Sequence, residues 1–137
     1  MYQFYLLSVA TNLLAGVALS IEGMDEKLHL SSVFNRELFE KTGFRIGLGA
    51  VTFVVGIFKF LAVPPADVPV VGDLLPALSG LVLGLILFLK YYQGRADVSS
   101  PLVDGLDRIF GKNSAVFGTI GIAVAALHFL LPRILFL

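Results

Sequence analysis

The feature that most constrains this chain is four long apolar stretches without an acidic side chain. Residues 2–21, 44–63, 74–92 and 115–137 contain no aspartate or glutamate. Each is near the ~20 residues that an α-helix needs to cross the hydrocarbon of a bilayer. Backbone groups in hydrocarbon must be satisfied within the segment, which favours helices. Composition agrees: 57% of residues are hydrophobic and only 15% charged, against about 25% charged in a soluble domain. The expected fold is therefore an all-α membrane protein, a four-transmembrane-helix bundle forming one domain over residues 1–137. The apolar run begins at once, with no basic segment before Tyr2, so the first stretch reads as a retained span rather than a cleaved signal.

The connections differ in kind. Residues 22–43 and 93–114 are charged loops, whereas 64–73 form a short turn containing Pro64, Pro65 and Pro69. Lys27, Arg36, Lys41 and Arg45 flank or occupy the first loop; Lys90, Arg95, Arg108 and Lys112 do the same for the other. Only Lys59 and Arg133 lie toward the opposite side. Positive charge accumulates on the cytoplasmic side of a membrane. Both charged loops are therefore expected in the cytoplasm, with the termini and the proline-rich turn outside, in a plasma (inner) membrane. There is no Trp, so an aromatic belt would come from Phe and Tyr.

The second charged loop contains a short amphipathic pattern over residues 100–110. Ser100 suits an N-cap, Pro101 the first helical position and Gly111 a C-terminal stop. At 100° per residue, Leu102, Val103, Leu106, Ile109 and Phe110 share one arc, opposite Asp104, Asp107 and Arg108. Such a helix lies in the membrane interface, either as a connector or as a docking face for a partner. Residues 32–41 form a weaker counterpart, in which Phe34 and Leu38 share a face and Phe39 points elsewhere.

Each half of the chain reads as span, double serine, amphipathic segment, span. Ser31-Ser32 answers Ser99-Ser100. Gly49, Thr52, Gly56 and Lys59 have the spacing of Gly118, Gly121, Ala125 and His128. Two tandem helix–amphipathic helix–helix repeats would preserve orientation and be related by a pseudo-two-fold along the membrane normal. Chance similarity between apolar spans is the alternative.

Small residues mark the packing faces. Gly80 and Gly84 form a GxxxG, Gly49 and Gly56 a stripe in the second span, and Gly118 and Gly121 one in the fourth. Ser8, Asn12, Gly16 and Ser20 recur every four residues in the first. Between helices in lipid, close backbone approach and interhelical hydrogen bonds replace the hydrophobic drive. Asn12 lies near the middle of the first span, and, tyrosines set aside, Lys59 and His128 are the only ionisable side chains well inside a span, which makes all three functional candidates. Each also has a structural reading: Asn12 as interhelical glue, Lys59 snorkelling to headgroups or pairing with Asp67 or Asp73, and His128 as a neutral hydrogen-bonded ring.

Several chemistries are disfavoured. Net charge is zero and no nucleic-acid surface is indicated. There is no cysteine, hence no disulfide, thiolate nucleophile or Cys metal site. His29 and His128 are expected on opposite faces, which fits neither a metal site nor bis-histidine haem. A Ser-His-Asp set would need residues from both faces, and Asp97, Asp104 and Asp107 read as a solvated loop face. Proton-coupled export normally uses a membrane-embedded carboxylate, absent here. No catalytic residue or cofactor is assigned. Two functional classes remain: a non-enzymatic accessory, anchoring or scaffold subunit, partnered by the lipid bilayer and by other membrane subunits or itself, or a small homo-oligomeric channel or transporter with a polar path near Asn12, Lys59 and His128.

Overall fold

A computed structural model describes residues 2–21, 23–61, 74–95 and 100–131. Among these it is 89% helical, without strands. Four long helices dominate: α1 (Tyr2–Ser20), then, after α2 (Asp25–Leu28), a 3-10 turn and α3 (Arg36–Glu40), α4 (Thr42–Leu61), α5 (Leu74–Arg95) and, after α6 (Pro101–Leu106), α7 (Ser114–Leu130). α1, α4 and α5 are each long and apolar enough to cross a membrane. A fourth span is reached only by joining α6 and its continuation to α7 across a 56° bend.

The boundaries follow local chemistry. Pro76 sits in the first turn of α5, where its missing N–H removes no intrahelical bond. At the far end of α7, Leu131 leaves helical space at φ −127° and ψ 60°. It precedes Pro132, and a residue before proline is pushed out of the α region. The described helix therefore stops well short of the expected end at 137, and residues 132–137 lie outside the described part. The proline-rich turn at 64–73 lies outside it as well, together with Asp67 and Asp73.

Helices α1 and α7 pack tightly and antiparallel, as do α4 and α5, and α1 and α5 meet along a shared diagonal. Glycines set both tight seams. A Cβ on Gly16 would stand 2.6 Å from the Gly118 carbonyl oxygen, and one on Gly118 would stand 2.6 Å from that of Gly16. In the other seam a Cβ on Gly84 would stand 2.9 Å from the Gly49 carbonyl oxygen, and one on Gly56 3.2 Å from the Gly80 carbonyl carbon. A Cβ on Gly121 would stand 2.5 Å from the Leu83 side chain of α5. These obstacles are largely backbone, which cannot swing aside, so the helices come this close only because side chains are missing.

The two loop helices depart from the expected pattern. In the first loop Asn35 caps α3, accepting from the Glu37 amide at 3.0 Å. That start, later than Ser32, leaves Phe34 outside the helix, so Phe34 and Leu38 do not share a helical face. Phe39 becomes the buried residue, while Leu38 is exposed. Its ring lies edge-on to Phe34 (5.7 Å) and Phe44 (5.2 Å), anchoring the loop to the base of α4. Lys41 alone separates α3 from α4, so Gly43 lies within the first turn of α4.

In the second loop Ser100 does cap α6, accepting from the Val103 amide at 3.3 Å, with Pro101 in first position. Gly111 is not a left-handed stop; none of the described glycines has positive φ. The chain passes instead through a π-helical turn, Asp107–Gly111, closed by the Lys112 amide donating to the Asp107 carbonyl at 2.9 Å. The wider turn breaks the 100° phase and divides the apolar arc. Leu102 and Ile109 are exposed, whereas Val103, Leu106 and Phe110 are half-buried. Phe110 packs on Phe117 of α7 at 5.3 Å.

Candidate functional site

The inward side of α1 carries polar Ser8, Thr11, Asn12 and Ser20 together with Ala15, Val17, Ala18 and Leu19, while Phe4, Leu6 and Leu7 point outward. In α4 Thr52 is fully buried beside Leu48 and Val55, and Val51, Val54, Ile57 and Phe58 are exposed. In α7 Gly118, Gly121, Ala125 and His128 are inside and Val116, Ile120, Leu127 and Phe129 outside. The bundle thus has an apolar core with polar groups set into it and, in addition, a broad apolar exterior, of the kind that in soluble proteins marks a partner or a membrane.

The inward polar groups bind the helices together at each level. Near the charged-loop end, Ser20 Oγ lies 3.3 Å from Thr119 Oγ1 and donates to the Ala115 carbonyl at 3.3 Å. In the middle, Thr52 Oγ1 donates to Leu48 in its own helix at 2.7 Å and lies 3.5 Å from the Thr11 carbonyl of α1. Asn12 Nδ2 donates both to the Ser8 carbonyl at 3.0 Å and, across to α5, to the Pro76 carbonyl at 3.1 Å. Asn12 Oδ1 and Ser8 Oγ, on adjacent turns of this face, have no hydrogen-bond partner among the described residues. A buried acceptor left unsatisfied costs free energy; this pair, like the buried Nε2 of His128 further along the bundle, has unused hydrogen-bonding capacity among the described residues.

Toward the other end, Lys59 and His128 do not face each other across an open space. Both meet Tyr5. Its ring lies 4.7 Å from the imidazole of the buried His128, and Lys59 Nζ stands 6.0 Å from the ring centroid on another side. The Tyr5 hydroxyl donates to the His128 carbonyl at 2.7 Å and approaches that of Phe129 at 3.1 Å. These are carbonyls of the last turn of α7, which have no intrahelical donor beyond the helix end. Sequence reasoning set the tyrosines aside. The signal was present: Tyr5 lies three residues before Ser8, on the same helical face as the Ser8–Asn12–Gly16–Ser20 series.

Of the residues singled out from sequence, Asn12 on α1 and His128 on α7 are thus buried at different levels of the bundle, and Lys59 of α4 meets Tyr5 beside His128. The six glycines lie in helix seams. The α6 arc is remote from this column, and no group of three or more His, Cys, Asp or Glu able to hold a metal occurs among the described residues.

The model of a family of domains of unknown function matches residues 1–128. The chain belongs to that family. A protein of Treponema pallidum (strain Nichols), described as uncharacterised, is 31% identical over 137 residues and is covered, like this chain, over 100% of its length. No solved structure matches. The family match runs from the start of α1 to His128, so this member's polar column, both glycine seams and the loop helices fall within it.

Proposed function

We propose that the protein is a polytopic integral membrane protein of the plasma (inner) membrane that serves as a non-enzymatic accessory, anchoring or scaffold subunit. The observation that carries the bilayer reading is the broad apolar exterior, with Phe4, Leu7, Val54 and Ile120 exposed around a core that also holds the polar Ser8, Thr11, Asn12 and Thr52. In water such an exterior would cost ~25 cal/mol for each Å² of apolar surface exposed; in hydrocarbon that cost disappears. Inside, hydrogen bonds and glycine contacts supply the cohesion that lipid does not. In this reading α1, α4 and α5 cross the membrane and the apolar stretch 115–137, which begins in α7, makes the fourth crossing, with both charged loops cytoplasmic and both termini outside. A duplication fits the packing: exchanging α1 with α5 and α4 with α7 maps each tight antiparallel seam onto the other.

The subunit role is supported by seams that are already filled and by α6 and the π turn after it, whose Leu102 and Ile109 are exposed. Extraction into native-lipid nanodiscs followed by intact-complex mass spectrometry tests it. A stoichiometric second protein is expected; a homo-oligomer without one would contradict it. Transport through a homo-oligomer is the second reading, favoured by the unsatisfied Ser8 Oγ and Asn12 Oδ1 in mid-bundle. The shared contact of Lys59 and His128 with Tyr5 gives it less support than an open path between them would.

A further inference from the structure

Asn12 enters the bundle where α1, α4 and α5 meet. Its Nδ2 donates to the Ser8 carbonyl of its own helix at 3.0 Å and to the Pro76 carbonyl of α5 at 3.1 Å. A Cβ on Gly80 of α5 would stand 3.7 Å from that nitrogen, so the glycine leaves room for the amide. Both amide hydrogens are thereby committed to carbonyls. Exchanging nitrogen and oxygen would set Oδ1 against two carbonyl oxygens, so the bonding network fixes which atom is which. Oδ1 is then an acceptor on the other side of the amide, at a residue only 1% exposed. Ser8, one turn earlier, is 0% exposed, and its Oγ can both donate and accept. Neither oxygen has a hydrogen-bond partner among the described residues. The Ser8 carbonyl is itself occupied, accepting from Thr11 Oγ1 at 3.2 Å as well as from Asn12.

The chemistry of these two atoms selects what can join them. An anion would bring negative charge against the acceptor Oδ1. A bare cation would carry a full charge into surroundings where Ser8, Thr11, Asn12 and Thr52 are all neutral, and burying an uncompensated charge is costly. A neutral group that both donates and accepts suits both oxygens. Side chains four residues apart on a helix have Cβ atoms about 5–6 Å apart, a span that one oxygen atom can bridge with two hydrogen bonds. Buried water commonly makes such bonds to otherwise unsatisfied polar groups. We propose that a single water molecule bridges Ser8 Oγ and Asn12 Oδ1 as a fixed part of the fold, giving one hydrogen to Oδ1. This site rests on burial inside the bundle and not on what surrounds the bundle. It assigns to structure the hydrogen-bonding capacity on which the transport reading draws.

The bonds that a bridging water makes and the freedom it loses largely offset each other, so its presence is read from structure and not from stability. The test is diffraction from crystals of the full chain at a resolution that shows ordered water. One density peak is expected within ~2.7–3.2 Å of both Ser8 Oγ and Asn12 Oδ1. In Ser8→Ala that peak should be lost while Asn12 keeps its bond to the Pro76 carbonyl. Ser20→Ala, further along the same face, should retain it. A direct bond between Ser8 Oγ and Asn12 Oδ1, no peak in the parent, or an unchanged peak in Ser8→Ala would overturn the bridge. Parent crystals soaked in rubidium chloride separate water from an alkali cation. No anomalous signal is expected at the site. A rubidium peak there would replace water by a cation, overturning the proposal and strengthening the transport reading.

Discussion

The Tyr5 hydroxyl donates to the His128 carbonyl at 2.7 Å, joining the first turns of α1 to the last turn of α7. The bond meets a helix end that has no intrahelical donor left, just before the break enforced by Pro132. Tyr5→Phe keeps the ring beside His128 and removes the hydroxyl. It should cost ~1 kcal/mol and speed amide exchange in the last turn of α7, with the Gly16–Gly118 region unaffected. Hydrogen exchange read by mass spectrometry checks both parts.

The seam between α1 and α7 tolerates no added volume at Gly118. A Cβ there would stand 2.5 Å from Ser20 Oγ and 2.6 Å from the Gly16 carbonyl. Gly118→Ala should destabilise the protein by ~1–3 kcal/mol, the usual cost of overpacking. Gly47 lies inside α4 with nothing within 4 Å of a new Cβ. Gly47→Ala should be neutral or stabilising by up to ~1 kcal/mol through helix propensity. Reversible unfolding in mixed micelles ranks the two, and the reverse order would contradict the described seams.

Asn12 and Ser8 are buried alike but bonded differently. Asn12→Ala loses the bond to the Pro76 carbonyl and should cost ~0.6–2 kcal/mol. Ser8→Ala removes a hydroxyl that has no partner among the described residues and should lie within ~0.5 kcal/mol of the parent. The same unfolding assay measures both. A larger loss at Ser8 than at Asn12 would reveal a bound group on Ser8 Oγ.

Orientation is accessible by chemistry, because the parent chain has no cysteine. Asp67→Cys should react with an impermeant thiol reagent applied outside intact cells, and Asp104→Cys only after permeabilisation. Outside labelling of Asp104→Cys would reverse the proposed topology.

The long helices were legible because twenty apolar residues without an acid leave few alternatives; α4 begins at Thr42 and α5 extends to Arg95, shifts of two and three residues. The glycines were legible as packing positions, but not their partners. Which carbonyl Gly16 meets depends on how two distant helices align, and no local pattern encodes it. Loop phases failed for a local reason. Asn35 rather than Ser32 starts α3 and leaves Phe34 outside the helix, so Phe39 and not Leu38 turns inward; after α6 an inserted π turn interrupts the constant 100° spacing between Leu106 and the residues that follow. Tyr5 was overlooked because its apolar ring suits lipid, and only the tertiary fold brings its hydroxyl to the end of α7.

The central claim is that the apolar exterior of this bundle is covered by lipid. Alkaline carbonate extraction of membranes from cells expressing the full chain tests it most directly. The protein should remain in the membrane pellet and enter solution only with detergent. Release into the supernatant as a water-soluble, folded helical protein would contradict the account.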